Sequence, residues 1–67
     1  MNLLSITKDE VEMKLSESEL LILNAALNEV CNGINVAEFE TRIGAEKDVV
    51  VDFLNKIGCV LDKMSAC

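Results

Sequence analysis

Proline is absent from this chain and glycine occurs only at Gly33, Gly44 and Gly58. The backbone therefore has few points at which a regular element must stop, and these glycines are its natural punctuation. Helices are expected between them. With 67 residues, residues 1–67 form one small domain, of a size that buries only about 60% of the surface its unfolded chain exposes. The 51% hydrophobic content is enough to build a core of Leu, Val and Ile rather than leave the chain disordered.

The clearest element follows Ser16. Ser16 with Glu19 three residues later is a capping box, and Leu20, Leu23, Leu27 and Val30 then recur at helical spacing. A helix is predicted from Glu17 to Cys31, stopped by Asn32-Gly33 with the glycine in the left-handed region. Asn35 with Glu38 suggests a second cap, opening a short helix through Phe39 and Arg42 that ends at a left-handed Gly44. A third helix begins near Ala45 or Glu46, with Val50, Phe53, Leu54, Ile57, Leu61 and Met64 on one face. Gly58 either caps this helix or sits inside it. Leu27 and Phe53 are the expected core anchors.

The first fifteen residues allow two readings. Val11, Met13 and Leu15 alternate with Glu12 and Lys14, the period of a half-buried strand, with Leu4 and Ile6 as a partner strand and Lys8-Asp9 near the turn. The competing reading makes Thr7 an N-cap, with Glu10 three residues on, for a helix through Leu15. The fold class is thus mainly α: a small three-helix domain with a helix-turn-helix-like second half, preceded by a short N-terminal strand or hairpin on the first reading.

Charge narrows the function. Twelve acidic residues against six basic ones give a formal charge of −6, a field that repels phosphate backbones and anionic membranes and attracts basic protein surfaces. The expected partner is a basic protein, with nucleic acid disfavoured, no membrane association, and a homo-oligomer left open because small cores often gain stability by self-association. Met1-Asn2-Leu3-Leu4 has neither the charge nor the apolar length of a secretion signal, and no run is long enough to span a bilayer. Cys31, Cys59 and Cys67 form no CxxC pair and there is no histidine, so no metal or other cofactor is expected. A cytoplasmic location is expected, with Cys31 and Cys59 as small apolar core residues and Cys67 a loose terminal thiol.

Three patterns are candidate sites. Residues 36–57 resemble a helix-turn-helix, with Phe39 and Ile43 inward, Gly44 turning, and Val50, Phe53 and Leu54 anchoring the second helix. Glu40 departs from that pattern, standing where such motifs carry a small packed residue, and the segment holds three basic residues against five acidic ones, a poor footprint for DNA. Asn24, Asn28 and Asn32 recur every four residues and form one stripe of the first helix, either as amide donors and acceptors for a partner or as a solvated seam. Paired carboxylates such as Asp48 and Asp52 lack an environment that would part their pKa values, and with no histidine, tyrosine or phosphate-binding loop the chain lacks the parts of an enzyme.

The strings LNAALNEVCNG (Leu23 to Gly33) and EFETRIG (Glu38 to Gly44) resemble a group of short uncharacterised bacterial proteins, which implies a bacterial cytosolic origin and no mechanism. The resulting expectation is a non-enzymatic protein-binding module, most concretely an acidic inhibitor or immunity-type protein. Its partner-binding residues would be Glu40, Glu46, Asp48 and Asp52, with Asn24 and Asn28 as the second choice. The alternatives are a helix-turn-helix transcriptional regulator and a self-associating structural protein.

Overall fold

The structure is a computed structural model describing all 67 residues. At the N-terminus the alternating pattern forms an antiparallel hairpin of β1 (Asn2–Ile6) and β2 (Val11–Lys14). Thr7 and Glu10, the pair that also resembles a helix cap, close its turn instead. The Thr7 N–H donates to the Glu10 carbonyl at 2.8 Å, and the Glu10 N–H donates to Thr7 Oγ1 at 3.0 Å.

A β-bulge sets the character of the hairpin. Leu3 pairs with Met13 and Ile6 with Val11, with the irregularity between Leu3 and Ser5. Side chains alternate faces along a regular strand, so Leu3 and Ile6, three residues apart, would fall on opposite faces. The extra residue at the bulge shifts that parity and brings both beside Val11 and Met13. The result is one apolar face, and all of its residues are exposed.

Helix α1 (Glu17–Asn28) begins with the capping box as expected: the Glu19 N–H donates to Ser16 Oγ at 3.2 Å and the Ser16 N–H to Glu19 Oε1 at 2.9 Å. Its end corrects the expectation for Gly33. The helix widens into a single π turn over Glu29–Gly33, closed by the Ile34 N–H donating to the Glu29 carbonyl at 2.9 Å, and Gly33 does not enter the left-handed region. The only atoms near a β-carbon built there belong to the exposed, flexible end of the Glu29 side chain, so the structure places no firm demand for glycine at this position.

Helix α2 (Phe39–Ile43) is one turn long. Asn35 does not cap it. That position falls to Glu38, whose backbone is left-handed at φ 53° and whose carbonyl accepts from the Arg42 N–H at 3.0 Å. Gly44 ends the helix at φ 86°, as expected. Helix α3 (Lys47–Ser65) runs straight through Gly58, which is an interior position with open space around it.

The core is the seam between α1 and α3. Leu20 and Cys31 from α1 and its π turn are buried with Val50 and Ile57 of α3, and Leu23, Leu27, Val30, Leu54, Leu61 and Met64 are half-buried beside them. Phe53 is not an anchor: it lies about 60° round α3 from Val50, at the edge of the seam, and is 49% exposed. Cys59 follows Ile57 by two residues, which turns it to the opposite side of the helix, so it is exposed rather than part of the core. Ile43 is likewise exposed. The order short helix, glycine turn, long helix is present, yet α2 packs closely on neither long helix, and the hairpin makes no extensive packing with any helix.

The chain is accordingly open. Its accessible surface is 5423 Å², against about 4,200 Å² for a typical folded monomer of 7.3 kDa. Its radius of gyration is 13.5 Å, against about 11 Å for a compact domain of this length. The hairpin is tied to α1 by the Met1 ammonium, which lies 2.8 Å from Glu19 Oε2. That ammonium, with the Ser16 backbone N–H, holds the Glu19 carboxyl below its ordinary value.

Core truncation and edge truncation should therefore differ. Ile57→Ala is expected to cost about 2–5 kcal/mol in urea unfolding, whereas Phe53→Ala should cost about 1 kcal/mol or less, since half its surface stays in water. Gly58→Ala should stabilise by about 0.5–1 kcal/mol, while Gly44→Ala, forced into positive φ, should destabilise.

The depressed Glu19 carboxyl gives a pH dependence. A carboxyl whose folded pKa lies below its unfolded value adds stability that is present above the unfolded value and is lost as pH falls through the folded one. Carbon NMR titration should place the Glu19 midpoint below that of an ordinary glutamate, and Glu19→Gln should remove that contribution to the acid-side loss of stability.

Candidate protein-binding surface

The four carboxylates expected to meet a partner are all exposed. Glu40 lies in α2. Glu46 precedes the first turn of α3 without making a side-chain cap, and Asp48 sits in that turn, where the helix dipole favours negative charge. Asp48 and Asp52 stand one turn apart on α3. Asp52 is partly offset by Lys56, 3.2 Å away, in a solvent-exposed pair of little energetic weight. Glu40 and Glu46 flank the Gly44 turn, so the α2–α3 junction presents charge from both sides. A shallow hollow of about 440 Å³ lies at the start of α2, lined by Glu38, Phe39, Glu40 and Thr41.

The asparagine stripe has a different setting from a plain solvated seam. Asn24, Asn28 and Asn32 line one wall of an open groove of about 540 Å³, and Leu54, Asn55, Gly58 and Asp62 of α3 contribute to the other side. Asn24 is half-buried, while the Asn32 side-chain amide donates to Asn28 Oδ1 at 3.0 Å, so those two amides partly satisfy each other. The contribution of Asn55, Gly58 and Asp62 was not foreseen, although their spacing of three and four places them on one flank of a helix.

A second surface was also missed. Val49, Phe53 and Val60, spaced by four and seven, are exposed and form an apolar stripe along α3 beside the core seam. Asp52 lies about 60° round α3 from Val49, and Lys56 and Lys63 stand between the acidic flank and the apolar stripe, so charge of both signs borders the exposed apolar groups. The signal was present in the spacing.

No three His, Cys, Asp or Glu side chains converge as a metal-binding group, and no helix is long and apolar enough to cross a membrane. The three cysteines are free. Comparison with protein-family models, curated proteins and solved structures finds no significant match. The surface chemistry is that of association: exposed charge for long-range attraction and adjacent apolar groups to be covered on contact.

Proposed function

We propose that this chain is a non-enzymatic protein-binding module, an inhibitor or immunity-type protein of the bacterial cytosol whose acidic α2–α3 surface covers a basic surface on another protein. The observation that carries this reading is the pairing of exposed carboxylates with the exposed Val49–Phe53–Val60 stripe on the same helix. Interfaces of this kind bind through a desolvated aromatic or aliphatic anchor ringed by polar groups. Phe53 supplies the anchor. Glu40, Glu46, Asp48 and Asp52 supply the attraction, acting over about 10 Å at 0.1 M salt. The asparagine groove lies on the other flank of the seam and is a secondary contact in this arrangement, through Asn24 and Asn28.

The test begins with the chain as bait, followed by purification of the retained protein and measurement of association and dissociation rates at two ionic strengths. Asp48→Lys with Asp52→Lys should change stability by about 0.5 kcal/mol or less, as exposed substitutions do, yet slow association and flatten its salt dependence. Phe53→Ala should act on dissociation, speeding it by about thirtyfold as loss of a central anchor does. Wild-type rates in both variants would refute the reading. Tight binding of duplex DNA by the chain in a low-salt gel shift would replace it with the regulator.

A further inference from the structure

A π turn sits where the asparagine stripe reaches the end of α1. On a plain α-helix every fourth residue moves round by about 40°, which would leave Asn32 about 80° from Asn24. The turn over Glu29–Gly33 holds more residues than an α turn and so brings Asn32 back toward the line of Asn24 and Asn28. All three line one open groove between α1 and α3. Turns of this kind recur at functional sites, and this one straightens a rail of three amides.

The pitch and the hydrogen-bonding groups of the rail both match an extended main chain. Successive asparagines rise by about 6 Å along the helix, while alternate residues of an extended peptide, which face one way, rise by about 6.7 Å. Over the whole rail the mismatch is only about 1.4 Å. The Asn32 amide donates to Asn28 Oδ1 at 3.0 Å, which orients both side chains and leaves the Asn28 N–H groups and the Asn32 carbonyl oxygen to a ligand. A residue of an extended chain presents its own N–H and C=O on one edge, the complement of that pair. On the facing wall Gly58 has no atom within 4 Å of a β-carbon built there, so a main chain can lie directly against α3.

Other occupants fit less well. The groove has no aromatic side chain on which a base could stack, and only Leu54 and Cys59 are apolar, too little to seat the apolar face of a helix. Its one charge is the Asp62 carboxylate, with no lysine or arginine beside it in the groove, which favours a ligand bearing a cation. We propose that the groove binds an extended segment of a partner protein through its main chain, with a lysine or arginine side chain over Asp62. This rests on the proposed function only for the partner being a protein, and the acidic α2–α3 surface plays no part in it. Peptide titration tests the groove and the captured partner's rates test that reading, so either can fail alone.

The probes are capped pentapeptides of threonine with a single arginine at one end or the other, titrated into the nitrogen-labelled full chain. The side-chain amides of Asn24, Asn28, Asn32 and Asn55 should shift saturably, with a Kd below about 1 mM for at least one of the two peptides. N-methylation of the peptide nitrogens, which removes the main-chain donors, should weaken binding about tenfold or more, and glutamate in place of arginine should do the same. Gly58→Leu fills the α3 wall and should abolish the shifts while keeping the helical circular dichroism. Asp62→Asn should remove the preference for arginine over glutamate. Absence of saturable shifts at about 10 mM peptide overturns the proposal. So does an N-methylated peptide that binds as well as the parent, or a helical Gly58→Leu chain with wild-type affinity. Should Gly58→Leu lose its helical signal, the N-methylated peptide on the wild-type chain decides alone.

Discussion

The helical part of the fold depends on the seam where Leu20 and Cys31 meet Val50 and Ile57, the only four buried residues of the chain. A domain this small has no second core to fall back on. Its two long helices are held by one stripe each, and the half-buried leucines, valine and methionine beside that stripe complete the packing. Small domains carry little surplus stability, so a single cavity in the seam is a large fraction of the total.

What the seam leaves uncovered determines the reading of function. Three regions stand outside it: the apolar hairpin face, the Val49–Phe53–Val60 stripe with its neighbouring carboxylates, and the groove walled by Asn24, Asn28 and Asn32. A chain that spends only four residues on its interior yet has 51% hydrophobic composition must display apolar groups, and here they are gathered into faces instead of being scattered singly. Gathered patches mark contact surfaces more than isolated side chains do.

Local signals were the legible ones. Ser16 with Glu19 announced the start of α1, Gly44 the end of α2, and the Val11–Met13 alternation the hairpin, because each depends on residues close in sequence. The misreadings share a cause of the opposite kind. Phe53 and Cys59 were assigned by hydrophobicity, but which flank of α3 is buried depends on the position of α1, and that is a tertiary fact. Thr7 with Glu10 shows the same ambiguity in miniature, since one pair of residues can cap a helix or close a turn. The helix before Gly33 ends through a π turn, which residue type alone does not reveal. The candidate carboxylates were legible as exposed, whereas the apolar stripe beside them became visible only once Phe53 had left the core.

The central claim, that the α1–α3 seam is the sole intrinsic core, is tested most directly by native-state amide hydrogen exchange. Exchange protection reports the opening free energy of each segment. Amides of α1 and α3 along the seam should be the slowest, while those of β1 and β2, which no helix covers extensively, should exchange faster. Hairpin amides as slow as those of the seam would contradict it.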